Sequence, residues 1–301
     1  MTIELIGINV GGTTTTVVRG DESGAIDEVR AFPTHAARDE AALYGDMAAA
    51  VASLRSEKTA ALGVAIGGPL DAKRGIVLHT PHLPFQNFPL QARLSAEFAL
   101  PVRVHHDAAA CALAEWLWGP AAGVAGLAYL TCGTGFGVGL VLDGRIRYGS
   151  GGHSPEIGHV RYRDSGPNIF GKPGCFEGFG SATALSLLAR ERDPAVLGRL
   201  TPVEIAQRAR SGDAGAAEIV RQNQHAVGAA CALLADLLVL DVIVLGSLSR
   251  YLGESWVAAV RDVFAAEALP HHAQHCRLQA PMENVQDRSA LAAARDAVKA
   301  P

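Results

Sequence analysis

The strongest constraint in this sequence lies at Leu127 to Ile146, LAYLTCGTGFGVGLVLDGRI, where an apolar run breaks into GTGFGVG and resumes as a second apolar run. Near-continuous apolar residues on each side of a glycine cluster read as two buried strands joined by a tight hairpin. Glycines at 133, 135, 137 and 139 leave the main chain bare, so its N–H groups can close around an anion, with the Thr134 hydroxyl as a further donor. Phosphate suits such a cradle. A hairpin with permissive glycines and no ligand is the alternative reading.

The pattern occurs twice. LIGINVGGTTTTVVRGDESGAI, near the N-terminus, runs from an apolar stretch through a turn at Gly11, Gly12 and Thr13 into the β-branched run Thr14 to Val18, then a polar turn at Asp21 to Gly24. Strand, Gly/Thr turn, strand and polar turn recur in the same order. An internal repeat of this kind predicts two like-folded lobes, each offering one phosphate-binding hairpin to a nucleotide held in the cleft.

Composition narrows the class. The 301 residues are 49% hydrophobic and 19% charged, with 33 glycines, the profile of a soluble α/β protein with two domains. A net charge of -4 with no basic block argues against nucleic-acid partners and a polybasic membrane anchor. The five cysteines, at 111, 132, 175, 231 and 276, are odd in number and form no C-x-x-C pair, which points away from a disulfide framework and towards a cytoplasmic compartment. Met1 leads straight into the first strand, so no signal peptide is expected. The most membrane-like run, Val227 to Gly246, carries Asp236 and Asp241 and reads as a buried helix feeding a buried strand.

Between the repeats, Arg38 to Leu54 is an Ala-rich helix former, and Ala61 to Ile66 is a strand ending at Gly67-Gly68-Pro69, a loop where α/β proteins place ligands. His79 to Leu90, HTPHLPFQNFPL, is neither regular helix nor central strand. Its polar side chains, Asn87 among them, either reach a substrate or decorate a surface connection. Pro101 to Val104 forms a strand leading into His105-His106-Asp107 and the helix former AAACALAEWLW. Taken alone, Asp107 at that junction reads as an N-cap. Gly149 to Gly180 is irregular enough to be a functional loop and holds His153, Glu156, His159, Cys175 and Glu177. Asp241 to Leu245 is a strand ending in Gly246-Ser247, a second turn on which a nucleotide can lie, and Ser289 to Lys299 is a closing helix.

Together GINVGGT, AIGGP, HHDAAACALAE, LTCGTGFGVGL, SPEIGH, GCFE and VIVLGSLS resemble, in order, the motifs of the ROK family, the repressor, open-reading-frame and kinase group. The resemblance implies the two-lobed actin-like ATPase (ribonuclease H-like) fold of the sugar kinase, Hsp70 and actin superfamily. It implies a smaller lobe over residues 1–107, a larger one over 108–287, and a C-terminal helix, 288–301, packing back on the first. It also implies an ATP-dependent sugar kinase with Mg²⁺, working as a homodimer. Asp107 then matches the general base. Glu156, His159 and Glu177 match sugar-hydroxyl ligands, with Gly68, Asn87 and His106 beside them. Asn9, Gly11, Gly12 and Thr13 match the first phosphate motif, and Gly133, Thr134 and Gly135 the second. Gly246 and Ser247 match the adenosine-binding turn.

Three departures from the family pattern stand out. The first motif has Asn9 where the family has Asp, either weakening the hold on Mg²⁺ or leaving another group to supply the charge. His106 replaces the sugar-binding Asn, which alters hydroxyl geometry. Asn168 and Phe170 occupy the first two cysteine positions of the family's zinc loop; only His159 and Cys175 are left, so no structural zinc is expected, and Phe170 and Phe176 are expected to anchor the loop by packing. The run His271, His272, His275, Cys276 is bracketed by Pro270 and Pro281 and does not read as a native metal site. The rival to a kinase is a sugar or nucleotide binder that has lost turnover. A DNA-binding repressor is disfavoured by the acidic balance and by a first hairpin that starts within ten residues of Met1.

Overall fold

The structure, a computed structural model, describes residues 3–34, 39–80 and 83–299. Its elements run β1 (Glu4–Val10), β2 (Thr14–Asp21), β3 (Ile26–Pro33), α1 (Glu40–Leu54), β4 (Thr59–Ile66), β5 (Leu70–Asp71), β6 (Ile76–Val77), α2 (Leu90–Phe98), β7 (Val102–His106) and α3 (Asp107–Trp118). Then come β8 (Gly126–Cys132), β9 (Phe136–Leu142), β10 (Arg145–Ile146), β11 (Asn168–Ile169), β12 (Lys172–Pro173), α4 (Glu177–Gly180), α5 (Ala182–Arg192), α6 (Pro202–Arg210) and α7 (Ala214–Leu238). The chain closes with β13 (Val242–Leu245), α8 (Leu248–Leu252), α9 (Glu254–Glu267), α10 (Pro270–His275), β14 (Arg277–Gln279) and α11 (Val285–Lys299).

The repeat in the sequence is a repeat in topology. One five-stranded sheet has the order β3-β2-β1-β4-β7 and the other β10-β9-β8-β13-β14. In the first, β1 pairs antiparallel with β2 and parallel with β4, which pairs parallel with β7. In the second, β13 runs parallel to both β8 and β14, and β10 is antiparallel to β9. Contacts divide the chain into two compact units. The first comprises Met1–Gly123, Gly139–Pro155 and Met282–Pro301; the second comprises Val124–Val138 and Glu156–Pro281.

In the first unit the two faces of the sheet are chemically different. Side chains alternate along a strand, so Ile6, Ile8, Val10, Leu62, Val64 and Ile66 face one way and join Leu43, Met47 and Val51 of α1 and Leu90, Leu94 and Phe98 of α2 in one core cluster. The opposite face carries Leu5, Val18 and Ala61 against Leu291, Ala294 and Ala297 of α11, with Ala65, Ala110 and Ala290 clustered beside them. Gly7 and Gly63 are register partners on β1 and β4. A Cβ at Gly7 would lie 2.7 Å from Ala290, and one at Gly63 would lie 2.0 Å from the Ala294 nitrogen. Two adjacent bare positions thus form the trough in which the Ala-rich α11 lies.

Local signals explain several boundaries. Asp39 caps α1 by accepting from the Ala42 N–H at 2.8 Å; Arg38, where the sequence puts the start of that helix, lies outside the described residues, as do Pro81 and His82 of the proline-rich stretch. Strand β7 runs to His106 rather than ending at Val104. Helix α11 starts at Val285, so Ser289 is not near its cap: the Ser289 hydroxyl donates to the Gln286 carbonyl at 2.6 Å.

In the second unit α7 packs on α9 around buried Trp256. The Trp256 indole donates to Asn223 Oδ1 at 3.0 Å, and Asn223 Nδ2 donates to the Phe179 carbonyl at 2.8 Å. This buried polar chain is satisfied at each link and ties α4 to the helical core. Among the described residues no helix is long and apolar enough to cross a membrane.

Candidate active site

In the first unit Asn9 is the penultimate residue of β1, on the α11 face. Its side-chain amide donates to the Thr16 hydroxyl at 3.3 Å, and Thr16 in turn donates to Asp287 Oδ1 at 2.5 Å. A carboxylate from the last helix therefore stands one hydroxyl away from the residue whose own charge is missing. Beyond Asn9, the Gly11-Gly12-Thr13 turn is closed by Gly11 N–H donating to the Thr14 carbonyl at 3.1 Å, and the Thr13 carbonyl accepts from Thr34 at 3.0 Å. Gly12 and Thr13 are exposed, as a turn that meets a ligand must be.

Asp107 is the first residue of α3, directly after β7. Its Oδ1 accepts from the Ala108 N–H at 2.6 Å, which orients the carboxylate; the N-cap position expected for Asp107 is taken instead by His106, whose side chain makes no cap hydrogen bond. Among the described residues Oδ2 has no hydrogen-bond partner, and the side chain is 48% exposed. The helix behind it is held at short range: a Cβ at Gly139 would lie 2.0 Å from the Ala108 carbonyl oxygen, so glycine at 139 allows β9 to touch the first turn of α3. The His106 ring is mostly buried, with Nδ1 3.2 Å from Asp107 Oδ1 but not aligned for a hydrogen bond. Gly68 makes room for it; a Cβ there would lie 2.9 Å from His106 Cδ2.

Behind this corner is an array that sequence reasoning missed. His105 Nε2 lies 2.9 Å from Asp296 Oδ2, and His105 Nδ1 lies 2.9 Å from the Tyr148 hydroxyl. The Tyr148 oxygen accepts from the His106 N–H at 3.3 Å. With the His105 proton assigned to Nε2, as the network requires, every link is satisfied: Tyr148 donates to His105, and His105 donates to Asp296. Burial, with the Asp296 and Asp107 carboxylates nearby, raises the Tyr148 hydroxyl well above its ordinary range despite the opposing His106 N–H, so it remains a phenol donor. Burial also acts to raise Asp296, but the hydrogen bond from His105 and the charges of Arg103 and Lys299 outweigh it and leave that carboxyl below its usual value. The array pins the end of β7 one residue before Asp107. Its members are 43 and 191 residues apart in sequence, and no local motif joins them.

In the second unit the Gly133-Thr134-Gly135 turn is braced by α5: Ala182 N–H donates to the Gly133 carbonyl at 2.8 Å, and the Thr183 hydroxyl donates to the Thr134 carbonyl at 2.7 Å. Glu177 opens α4 and lies over this hairpin, with Oε2 accepting from the Phe136 N–H at 3.0 Å. A Cβ on Gly135 would approach that oxygen to 3.1 Å, and one on Gly158 to 3.3 Å. Glu177 and the Glu156–His159 segment are thereby brought to the second hairpin, with Glu156 and His159 exposed. Ser247 sits at the turn from β13 to α8 with φ 35°, a left-handed conformation that a serine rarely adopts. A Cβ on Gly246 would lie 2.7 Å from the Tyr129 hydroxyl, and the Gly133 position is 3.3 Å from Ser247 Oγ by the same measure. Thus Ser247 neighbours the second hairpin.

The loop between Glu156 and Glu177 corrects one expectation. Phe170 does not anchor it: it stands at the β11–β12 tip with φ 49° and is 70% exposed. The anchors are buried Phe176 and Phe179 with Tyr162, whose ring stacks on Phe176 at 4.9 Å and meets Phe179 edge-on at 5.4 Å. Asn87 is exposed with φ 48° and, among the described residues, makes no hydrogen bond or ion pair with the other first-unit site residues. In the histidine-rich run His272 pairs with Asp236 at 2.8 Å and His275 with Asp241 at 2.9 Å; among the described residues no group of three or more His, Cys, Asp or Glu is placed to hold a metal.

Comparison with known proteins gives this geometry a family. The ROK family profile matches residues 5–295. A glucokinase of Halalkalibacterium halodurans is 31% identical over 284 residues, 88% of this chain and 86% of that protein. Among solved structures, a ROK family glucokinase from Streptomyces griseus in complex with glucose and AMPPNP superposes with a TM-score of 0.82 at 26% identity, covering 97% of this chain and 99% of the other. A ROK hexokinase from Thermus thermophilus superposes with a TM-score of 0.84 at 27% identity, covering 98% and 99%. With the profile matched over almost the whole length and both solved relatives sharing its architecture, the chain belongs to the ROK family and has the actin-like ATPase fold.

Proposed function

We propose that this protein is an ATP-dependent kinase of a hexose or hexose derivative, with Asp107 as the general base. The observation that carries the reading is the state of Asp107, with Oδ1 held by the Ala108 N–H and Oδ2 left for a substrate hydroxyl. A positioned base contributes about 10²–10⁴ to such a rate. Phosphoryl transfer otherwise rests on orientation and charge stabilisation, for which the Gly11-Gly12-Thr13 and Gly133-Thr134-Gly135 turns, exposed at Gly12, Thr13 and Thr134, are placed to offer main-chain N–H groups. Glu156, His159 and Glu177 act as acceptors and donors for sugar hydroxyls, His106 shapes the pocket beside Asp107, and Gly246 and Ser247 form the adenosine turn. Relatives named glucokinase and hexokinase support the reaction class.

Mg²⁺ takes hard oxygen ligands, keeps several waters and needs only one or two carboxylates besides the substrate phosphates. The donors around the first hairpin, the Asn9 amide, the Thr16 hydroxyl and the Asp287 carboxylate, fit that chemistry. When bound, the ion neutralises charge on the phosphates. Asp287 supplies the anionic charge that Asn9 lacks, with Thr16 orienting both. Replacing Asp287 by Asn, which keeps an acceptor for Thr16, is expected to raise the Mg²⁺ concentration for half-maximal rate about 10–100-fold, the usual cost of losing a supporting carboxylate. A shift under twofold removes Asp287 from that role.

The reaction is tested by ADP release with MgATP across a panel of aldoses and N-acetylated hexosamines. Turnover that depends on one or a few sugars is expected. A sugar-independent background across the panel overturns the kinase, and a rise in melting temperature with sugar under those conditions identifies the binder instead.

A further inference from the structure

Behind the Asp107 corner, the first unit holds a cavity of about 270 Å³ whose lining includes Lys73, Arg103, Arg145, His105, Tyr148 and Asp296. We propose that it is a binding site for a small phosphorylated anion, coupled to the Asp107 segment through Tyr148. Lys73 lies in the turn after β5, Arg103 on β7 and Arg145 on β10, so three separate elements deliver positive charge to one concavity. Among the described residues no side-chain charge of the three has an ion-pair or hydrogen-bond partner; Arg103 acts only at longer range, helping to hold the Asp296 carboxyl low. Their neighbours differ: Arg74 is paired with Asp71 and Arg147 with Asp143. The one carboxylate in the lining, Asp296, is already engaged by His105. Three cations facing one committed carboxylate leave the cavity electropositive, and like charges gathered this way repel unless an anion joins them. Two guanidinium groups and an ammonium match phosphoryl oxygens in geometry and charge. The volume lies just under the range of ordinary ligand pockets, which suits inorganic phosphate or a small phosphate ester rather than a nucleotide.

The cavity also borders the array that pins β7. An anion against Arg103 and Arg145 stiffens the lining that holds His105 and Tyr148, and the Tyr148 oxygen carries the His106 N–H. Occupancy is thereby felt at the residue preceding Asp107. The inference needs only the cavity; its consequence for catalysis rests on the kinase reading.

Titration calorimetry with inorganic phosphate, and separately with a hexose 6-phosphate, tests it. Saturating Mg·AMPPNP and hexose are present to occupy the proposed catalytic sites, with sulfate as a general-anion control. One site is expected in the wild type, weakened at least tenfold in Arg145→Glu and in Arg103→Gln and altered less than twofold in Arg147→Glu, which makes the same charge change next door. No binding by either probe, equal weakening in Arg147→Glu, binding undisturbed in both test variants, or sulfate binding as tightly as phosphate overturns the site; the last means an adventitious ion only. Hydrogen exchange at the His106 amide should slow severalfold on saturation with phosphate, and unchanged exchange overturns the coupling. None of these readouts depends on turnover, so they stand apart from the kinase assay.

Discussion

Replacing Asp107 by Asn is expected to lower kcat about 10²–10⁴-fold, the contribution of a positioned general base, with little change in stability. Asparagine is nearly isosteric and keeps an oxygen for the Ala108 N–H that Asp107 now accepts at 2.6 Å, so the first turn of α3 should survive. The variant loses proton acceptance. Because that interaction is made in the transition state, kcat and kcat/KM should fall together and the sugar KM should stay close to that of wild type. If Asp107 served only to cap the helix, the result would be different: Asp107→Ala would cost about 1 kcal/mol of stability, and Asp107→Asn would leave turnover near wild type. A kcat within tenfold of wild type for a folded Asp107→Asn protein would sink the base assignment. Steady-state kinetics beside a urea melt on the same sample separates the two.

Gly63→Ala should destabilise the protein by about 3 kcal/mol or more, the upper end of overpacking costs. General rules for glycine predict the opposite sign. Gly63 lies within β4 and is not among the positive-φ residues, so alanine there would ordinarily stabilise by about 0.4–1 kcal/mol through the unfolded chain. Sterics decide it. The added Cβ would lie 2.0 Å from the Ala294 nitrogen, 2.2 Å from the Ala290 carbonyl oxygen and 2.6 Å from the Ala293 carbonyl carbon. All three are main-chain atoms of α11, so no rotamer change relieves the clash and the helix must lift off the sheet. That helix also carries Asp287 and Asp296, so turnover should fall with stability. Urea denaturation reports the change as a lower midpoint; a midpoint equal to wild type would show that α11 does not pack in the Gly7–Gly63 trough.

These two residues show how unevenly sequence encodes function. The part of Asp107 as general base is what the family motif implies; its place at a strand-to-helix junction was legible because a strand, a polar break and an Ala-rich helix former follow one another within twenty residues. The hairpins at Gly11 and Gly133 were legible for the same reason, and their repetition anticipated two sheets with the same strand pattern. The reading of Gly63 as one more residue in an apolar strand missed its role, since nothing near it in sequence says that α11 will lie there. Phe170 shows the converse error: an aromatic residue in a loop suggests an anchor, but a left-handed turn at the β11–β12 tip points it into solvent, and Tyr162, Phe176 and Phe179 do the packing instead. Asn9 is the sharpest case. Its sequence records a missing charge, and the candidate replacement, Asp287, is joined to it through a threonine 271 residues away in the chain.

Short-range patterns of apolar, β-branched and glycine residues were enough to place the paired glycine turns, the strands beside them, several of the helices and the family resemblance. Packing alone brings distant side chains together: Asp287 with Thr16 and Asn9, Asp296 with His105 and Tyr148, and three cations around one cavity. Such meetings depend on where a helix lies against a sheet, which is set by bare glycine positions, side-chain volume and strand register acting together. A sequence window contains the residues of one strand or helix. The partner that gives a residue its chemistry arrives from elsewhere in the chain, and only packing brings it there.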